Sequence, residues 1–313
     1  MLPTILDLAS LKAAYVAGLS PLDLVEEIIA RRKASDDPAI FITMTPDDDL
    51  RTAARELVAK APEPNSLPLW GIPFAVKDNI DVAGLPTTAA CPAFAYRPEE
   101  DATVIARLKA AGAIVIGKTN LDQFATGLNG SRSPHGAPRS VFDRNYVSGG
   151  SSSGSAVAVA AGLASFSLGT DTAGSGRVPA AFNNLVGIKP TPGLVPNVGV
   201  VPACRSVDVV TVFAATVGTA LPCARSWKAM TSGIHSRGKP CRQPYRHHVR
   251  ASACLTAWSA NSTATRMSKP SMTPPSSGRN RWALLSYPST MPLSGRRPNC
   301  STMALGSPSG WRR

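Results

Sequence analysis

Three short apolar runs, Phe74-Ala75-Val76, Gly112-Ala113-Ile114-Val115-Ile116-Gly117 and Phe166-Ser167-Leu168-Gly169-Thr170, constrain the fold of this 313-residue chain more than any other feature. None carries a charge, and none alternates polar with apolar residues as a half-exposed strand would. Such runs suit strands of a sheet covered on both faces. Helical patterns lie between them. Ser20-Pro21 supplies a capping serine and a proline at the first helical position, with Leu24, Val25, Ile28 and Ile29 as the apolar stripe that follows. Residues 101–111 repeat the pattern, with Val104, Ile105 and Leu108 facing a core. Helices alternating with buried strands predict an α/β fold.

The pattern stops well before the end of the chain. All 20 acidic residues lie at or before Asp208, and residues 1–220 hold 18 Lys/Arg, so this part is nearly neutral. Residues 221–313 hold 15 Lys/Arg and no Asp or Glu, and the net charge of +13 belongs to them. That tail is rich in Ser, Pro, Thr and Arg and sustains no period of 3.6 or 2. The sequence therefore divides into a body, 1–220, and a basic, acid-free, low-complexity tail, 221–313, expected to be disordered.

Within the body, Gly149-Gly150-Ser151-Ser152-Ser153-Gly154-Ser155 is followed by an Ala-rich apolar run at 156–164, and the strand at 166–170 then leads into Asp171-Thr172-Ala173-Gly174-Ser175-Gly176-Arg177. A Gly/Ser run alone is commonly a linker, but apolar segments flank this one on both sides. It reads as a serine loop opening a helix, and the strand reads as ending in a tight, Gly-containing turn. Such a turn leaves backbone N–H groups unpaired and able to hold an oxyanion, with Thr172, Ala173, Gly174 and Ser175 as candidate donors. Small residues there let a substrate carbonyl reach the backbone. Nucleophilic serine chemistry also needs a base, usually histidine. His135 is the only histidine before residue 235, and it reads better as a pocket or surface residue than as a base. A buried lysine with a lowered pKa can take that role. Lys77, at the end of the strand in Gly71-Ile72-Pro73-Phe74-Ala75-Val76-Lys77-Asp78-Asn79, is the candidate, although a lone lysine is ordinarily a surface residue.

Lys77 with the two Gly/Ser segments resembles the amidase signature family, over roughly residues 3–218. The resemblance implies a mixed central sheet covered by helices on both faces and amide hydrolysis by a Ser-Ser-Lys triad. Carried over, Ser175 is the nucleophile, Ser151 the bridging serine after a cis Gly150-Ser151 bond, and Lys77 the general base. Ser152, Asp171, Arg177, Gly127 and Leu128 fall to substrate binding or loop support. Asp171 more readily buttresses its loop than reacts, while Arg177 is equally an ion-pair partner or a holder of a substrate carboxylate; Arg132 poses a weaker form of that question. Stretches 117–128, 131–134, 176–184 and 199–208 narrow the resemblance to allophanate hydrolase, with other amidases and the glutamyl-tRNA amidotransferase enzymes as the alternative. His135 departs from the tyrosine usual there. The implied setting is late urea, biuret or cyanuric acid nitrogen catabolism, on a small-molecule amide, with no metal or organic cofactor.

A longer domain is also implied, so the body is expected to be the truncated N-terminal part of one and the chain an unstable or inactive product. Loss of acidic residues and of resemblance together near residue 220 predicts a shift of reading frame there: 224–237, ARSWKAMTSGIHSR, can be back-translated so that a neighbouring frame reads approximately REVLEGHDVGDPFS. The competing reading is a basic arm for nucleic acid, but its arginines are scattered and no recognition module is present. Cys91 and Cys204 in the body and Cys223, Cys241, Cys254 and Cys300 in the tail have no metal-ligand spacing. No segment has the pattern of a signal peptide or the apolar length of a membrane span. Reduced thiols in the cytoplasm, no membrane partner, and room for a homodimer of a full-length chain complete the expectation.

Overall fold

A computed structural model describes residues 4–227. In chain order the elements are α1 (Leu8–Val16), α2 (Pro21–Ala34), β1 (Phe41–Met44), α3 (Asp47–Lys60), β2 (Pro73–Lys77), α4 (Thr103–Ala110), β3 (Ile114–Thr119), α5 (Ser153–Ala160), β4 (Phe166–Asp171), α6 (Arg177–Phe182), β5 (Val186–Ile188), β6 (Val209–Ala214) and α7 (Val217–Ser226). The six strands form one sheet in the order β1-β3-β2-β4-β6-β5. β2 runs parallel to β3 and to β4, whereas β1, β5 and β6 pair antiparallel to their neighbours. The sheet is therefore mixed, and every residue of β2, β3, β4 and β6 is buried. Two-sided burial is why the apolar runs show no alternation.

Local chemistry sets the helix starts. Ser20 and Asp23 form a reciprocal capping box around Pro21, and Leu24, Val25, Ile28 and Ile29 are buried behind it. α4 begins at Thr103, two residues later than residue 101, and buries Val104, Ile105 and Leu108. α5 starts at Ser153, inside the serine loop, and its small side chains let it lie close on the sheet. A side chain at Gly154 would overlap the carbonyl oxygen of Ile40. Ser155 Oγ donates to the Leu168 carbonyl at 2.9 Å and Ser167 Oγ to that of Ser155 at 2.6 Å, stitching helix to strand. Phe74 and Phe166, aligned on neighbouring strands, stack with centroids 5.0 Å apart.

The boundary expected between residues 220 and 221 falls inside α7. Ala220, Cys223 and Trp227 recur at helical spacing and are all buried, so 221–227 are part of the fold. The helix closes the chain on itself: the Leu8 N–H donates to Thr219 Oγ1 at 2.9 Å, and Arg107 donates to the Trp227 carbonyl at 2.7 Å. The rest of the tail expectation, 228–313, lies outside the described residues.

Candidate active site

Parallel neighbours β2 and β4 end side by side, bringing Lys77 and Asp171 to the same edge of the sheet. The Gly/Ser turn before α5 meets them there. Lys77 is wholly buried, and its Nζ lies 2.8 Å from Ser151 Oγ and 2.8 Å from Thr170 Oγ1. The Gly150-Ser151 peptide bond is cis. Burial lowers the Lys77 pKa to about 7, even though Asp122, Asp171 and Asp208 pull it upward. An ammonium that sheds its proton near neutrality is matched to proton transfer at that pH.

A second buried lysine provides the contrast. Lys118 of β3 forms an ion pair with Asp78 at 3.1 Å and donates to Thr87 Oγ1 at 2.9 Å. Burial lowers its pKa too, against the pull of Asp78. Lys77 has hydroxyls rather than a carboxylate as its direct partners, so its neutral form loses no ion pair.

The 172–176 turn is folded around the Asp171 carboxylate, which accepts the N–H groups of Gly174 at 2.9 Å, Gly176 at 3.1 Å and Arg177 at 3.2 Å. Arg177 adds a two-pronged ion pair, Nε at 2.9 Å and Nη2 at 3.1 Å. Burial opposes the carboxylate's charge, but Arg177 and the backbone donors outweigh it and the Asp171 pKa is lowered. Of the four expected oxyanion donors, the Gly174 N–H is therefore engaged by Asp171. Those of Thr172, Ala173 and Ser175 make no hydrogen bond among the described residues. The Thr172 hydroxyl donates to Asp208, whose carboxylate also accepts the Ala203 and Cys204 N–H groups at 2.9 Å each, tying the 203–208 segment to the turn.

Ser175 is 3% exposed, and its hydroxyl makes no hydrogen bond to Ser151 or Lys77 among the described residues. Ser152 Oγ donates to the Thr170 carbonyl at 3.2 Å, and the small Gly169 leaves it space. Leu128 lies beside both turns: its carbonyl accepts the Gly150 N–H at 2.8 Å, its side chain is half exposed, and a Cβ on Gly174 would be 3.5 Å from its Cδ2. Gly127, next to it, packs on Asp122. His135 Nε2 is buried with no hydrogen-bond partner among the described residues, and Arg132 donates to the Thr126 carbonyl at 3.2 Å. Thr170, Asp122 and Asp208 were not singled out in the sequence. Thr170 closes an apolar strand, where a threonine carries no mark of its partner; Asp122 and Asp208 accept from backbone N–H groups four to ten residues away, and Asp208 also from the distant Thr172 hydroxyl, contacts that no residue pattern marks.

Among the described residues no helix is long and apolar enough to cross a membrane, and no group of His, Cys, Asp or Glu side chains could hold a metal ion. Comparison with known proteins places residues 23–253 on the Amidase family model. A urea amidolyase of Lachancea kluyveri is 57% identical over 200 residues, 64% of this chain and 11% of that protein. A glutamyl-tRNA(Gln) amidotransferase chain of Symbiobacterium thermophilum is 46% identical over 210 residues, 66% of this chain and 43% of that one. Among solved structures, the allophanate hydrolase of Kluyveromyces lactis superposes with a TM-score of 0.67 at 48% identity, covering 72% of this chain and 37% of that one. The chain thus spans about a tenth of the urea amidolyase and less than half of the other two.

Proposed function

This chain belongs to the amidase signature family, and we propose that within it the site is built to cleave the terminal amide of allophanate, releasing ammonia. The observation that carries the proposal is the buried Lys77–Ser151 contact at 2.8 Å, with a lysine that sheds its proton at about pH 7. Identity to the urea amidolyase, 57% over 200 residues, exceeds the 46% over 210 residues to the amidotransferase of Symbiobacterium thermophilum and supports the choice of substrate.

In this reading neutral Lys77 takes the Ser151 proton as Ser151 takes that of Ser175, and Ser175 Oγ bonds to the terminal carbamoyl carbon. The N–H groups of Thr172, Ala173 and Ser175 hold the oxyanion. The carbon–nitrogen bond then breaks, and the leaving amine receives the proton back from Lys77 through Ser151 and departs as ammonia. Water, activated by the same relay, hydrolyses the acyl-enzyme. The Ser175 hydroxyl has to close on Ser151 as substrate is held, a tightening common to such sites. Asp171 with Arg177 supports the oxyanion turn, Ser152 supports the strand end, and Gly127-Leu128 borders the substrate. The chemistry calls for no metal or organic cofactor. Free Cys91, Cys204 and Cys223 fit a reducing, cytoplasmic setting.

The test is ammonia release from allophanate against a panel of simple amides and glutamine, with Ser175→Ala as control. Allophanate-specific release lost in the variant is the expected outcome. Release from glutamine alone would favour the amidotransferase reading, and none from any amide would leave an inactive product.

A further inference from the structure

Asp122 takes no part in the steps above, yet the backbone of the site is folded around it. It is fully buried, and no ion-pair partner faces it among the described residues. Oδ1 accepts the Arg132 N–H at 2.8 Å and Oδ2 the Gly130 N–H at 3.1 Å, while its own N–H donates to the Ser151 carbonyl at 3.0 Å. Glycines make room for it. A Cβ on Gly127 or on Gly150 would fall well inside contact distance of Oδ2, and one on Gly130 would lie 2.6 Å from the Gly149 carbonyl oxygen. The Gly150 N–H in turn donates to the Leu128 carbonyl at 2.8 Å. One carboxylate is thus clasped between the loop that presents Leu128 and the turn that presents Ser151. Two backbone donors, one on each oxygen, call for a group that accepts at both. Asparagine, with an NH2 facing one of them, cannot replace it.

We propose that Asp122 is a positioning residue of this site, holding the 127–132 loop against the Gly150-Ser151 turn and placing a fixed negative charge behind the Lys77–Ser151 pair. The inference rests on the amidohydrolase reading for the reaction it serves. Three carboxylates, Asp122, Asp171 and Asp208, act on Lys77, and Asp122 is the foremost of them. Asp171 is tied to Arg177 and Asp208 to Thr172 and two amides, so removing the Asp122 charge alone leaves the other two in place.

The test compares the intact 313-residue protein with Asp122→Asn, using phenylmethylsulfonyl fluoride as a serine probe and following labelling of the Ser175 peptide by mass spectrometry from pH 5 to 9, with hydrogen exchange of 126–134 alongside. In the variant the midpoint of the pH profile should move down by at least about half a unit, because the charge favouring protonated Lys77 is gone. Exchange in 126–134 should quicken about tenfold, as expected for loss of the anchoring hydrogen bonds. An unmoved midpoint with unchanged exchange overturns the proposal. Should the variant fail to fold, the unaltered protein decides: slow exchange at the Gly130 and Arg132 amides is required, and fast exchange there overturns the proposal. Labelling that shifts as expected without ammonia release from allophanate would sink the substrate reading and leave the role of Asp122 standing. Ammonia release with an unmoved profile and unchanged exchange would do the reverse.

Discussion

Lys77 and Lys118 sit on adjacent strands, both buried, and among the described residues only Lys118 of the two has a carboxylate within ion-pair distance. That difference lets Lys77 be neutral at working pH, and it has two measurable consequences. The first concerns rate: if neutral Lys77 is the base, kcat/KM should rise with pH through about 7 and lie flat above it, and Lys77→Met should lose on the order of 10³-fold or more at pH 8. The second concerns stability. With a folded pKa of about 7 against 10.5 for an ordinary lysine, the unfolded chain holds more protons between those values. Stability should therefore climb as pH rises from about 7 towards 10, and below 7 the cost of burying the charge is present in full. Thermal melts at pH 7, 8 and 9 should show that climb, and Lys77→Met should remove the Lys77 share of it. Lys77 was legible because it ends an apolar strand inside a long motif. Its partner Thr170 was not, because a threonine after an apolar run looks the same whether or not an amine lies 2.8 Å away.

Element against element, the site depends on α5 lying close enough to the sheet for its leading turn to reach Lys77. Gly154 is where that approach is tightest, in a helix whose other contacts are small Ser, Ala and Val side chains. Gly154→Ala raises intrinsic helix propensity, yet its methyl group would overlap the Ile40 carbonyl and push the helix away from the segment just before β1. We expect a net loss of about 1–3 kcal/mol in urea unfolding, with activity falling further than stability because Ser151 moves with the helix. A neutral or stabilising result would mean that the helix has slack at this point. The sequence marks the apolar run from residue 156 and leaves open where in the serine loop the helix starts; it starts at Ser153. Serine and glycine are weak helix formers, so composition alone favours a loop there, while burial of Ser153, Gly154 and Ser155 against the sheet and Asn120 brings these three residues into the helix.

The described chain is closed by its two ends, α1 meeting α7, with Trp227 buried near α4. Trp227→Ala should therefore lower stability by about 3–5 kcal/mol in a single cooperative transition rather than fray one end. A change below about 1 kcal/mol would show that this closure is not part of the folded unit. We also propose that the reading frame shifts near residue 220. Sequencing the coding DNA across residues 215–230 should find one inserted or deleted base whose correction restores acidic residues, and an intact frame would remove the idea. Composition marked where the acidic residues stop, but it drew the body's limit at 220, whereas Ala220, Cys223 and Trp227 carry the packed helix to 226. The α/β class, the strands that deliver Lys77 and Asp171, and the serine turns were readable from residue order, because strand burial and turn chemistry are local properties recorded in short stretches of chain. What folding alone settled is which distant groups meet: Lys77 with Thr170, Lys118 with Asp78, and Gly150 with Asp122. Each depends on distances between residues far apart in the chain, and hydrogen bonding and desolvation act on distance in space.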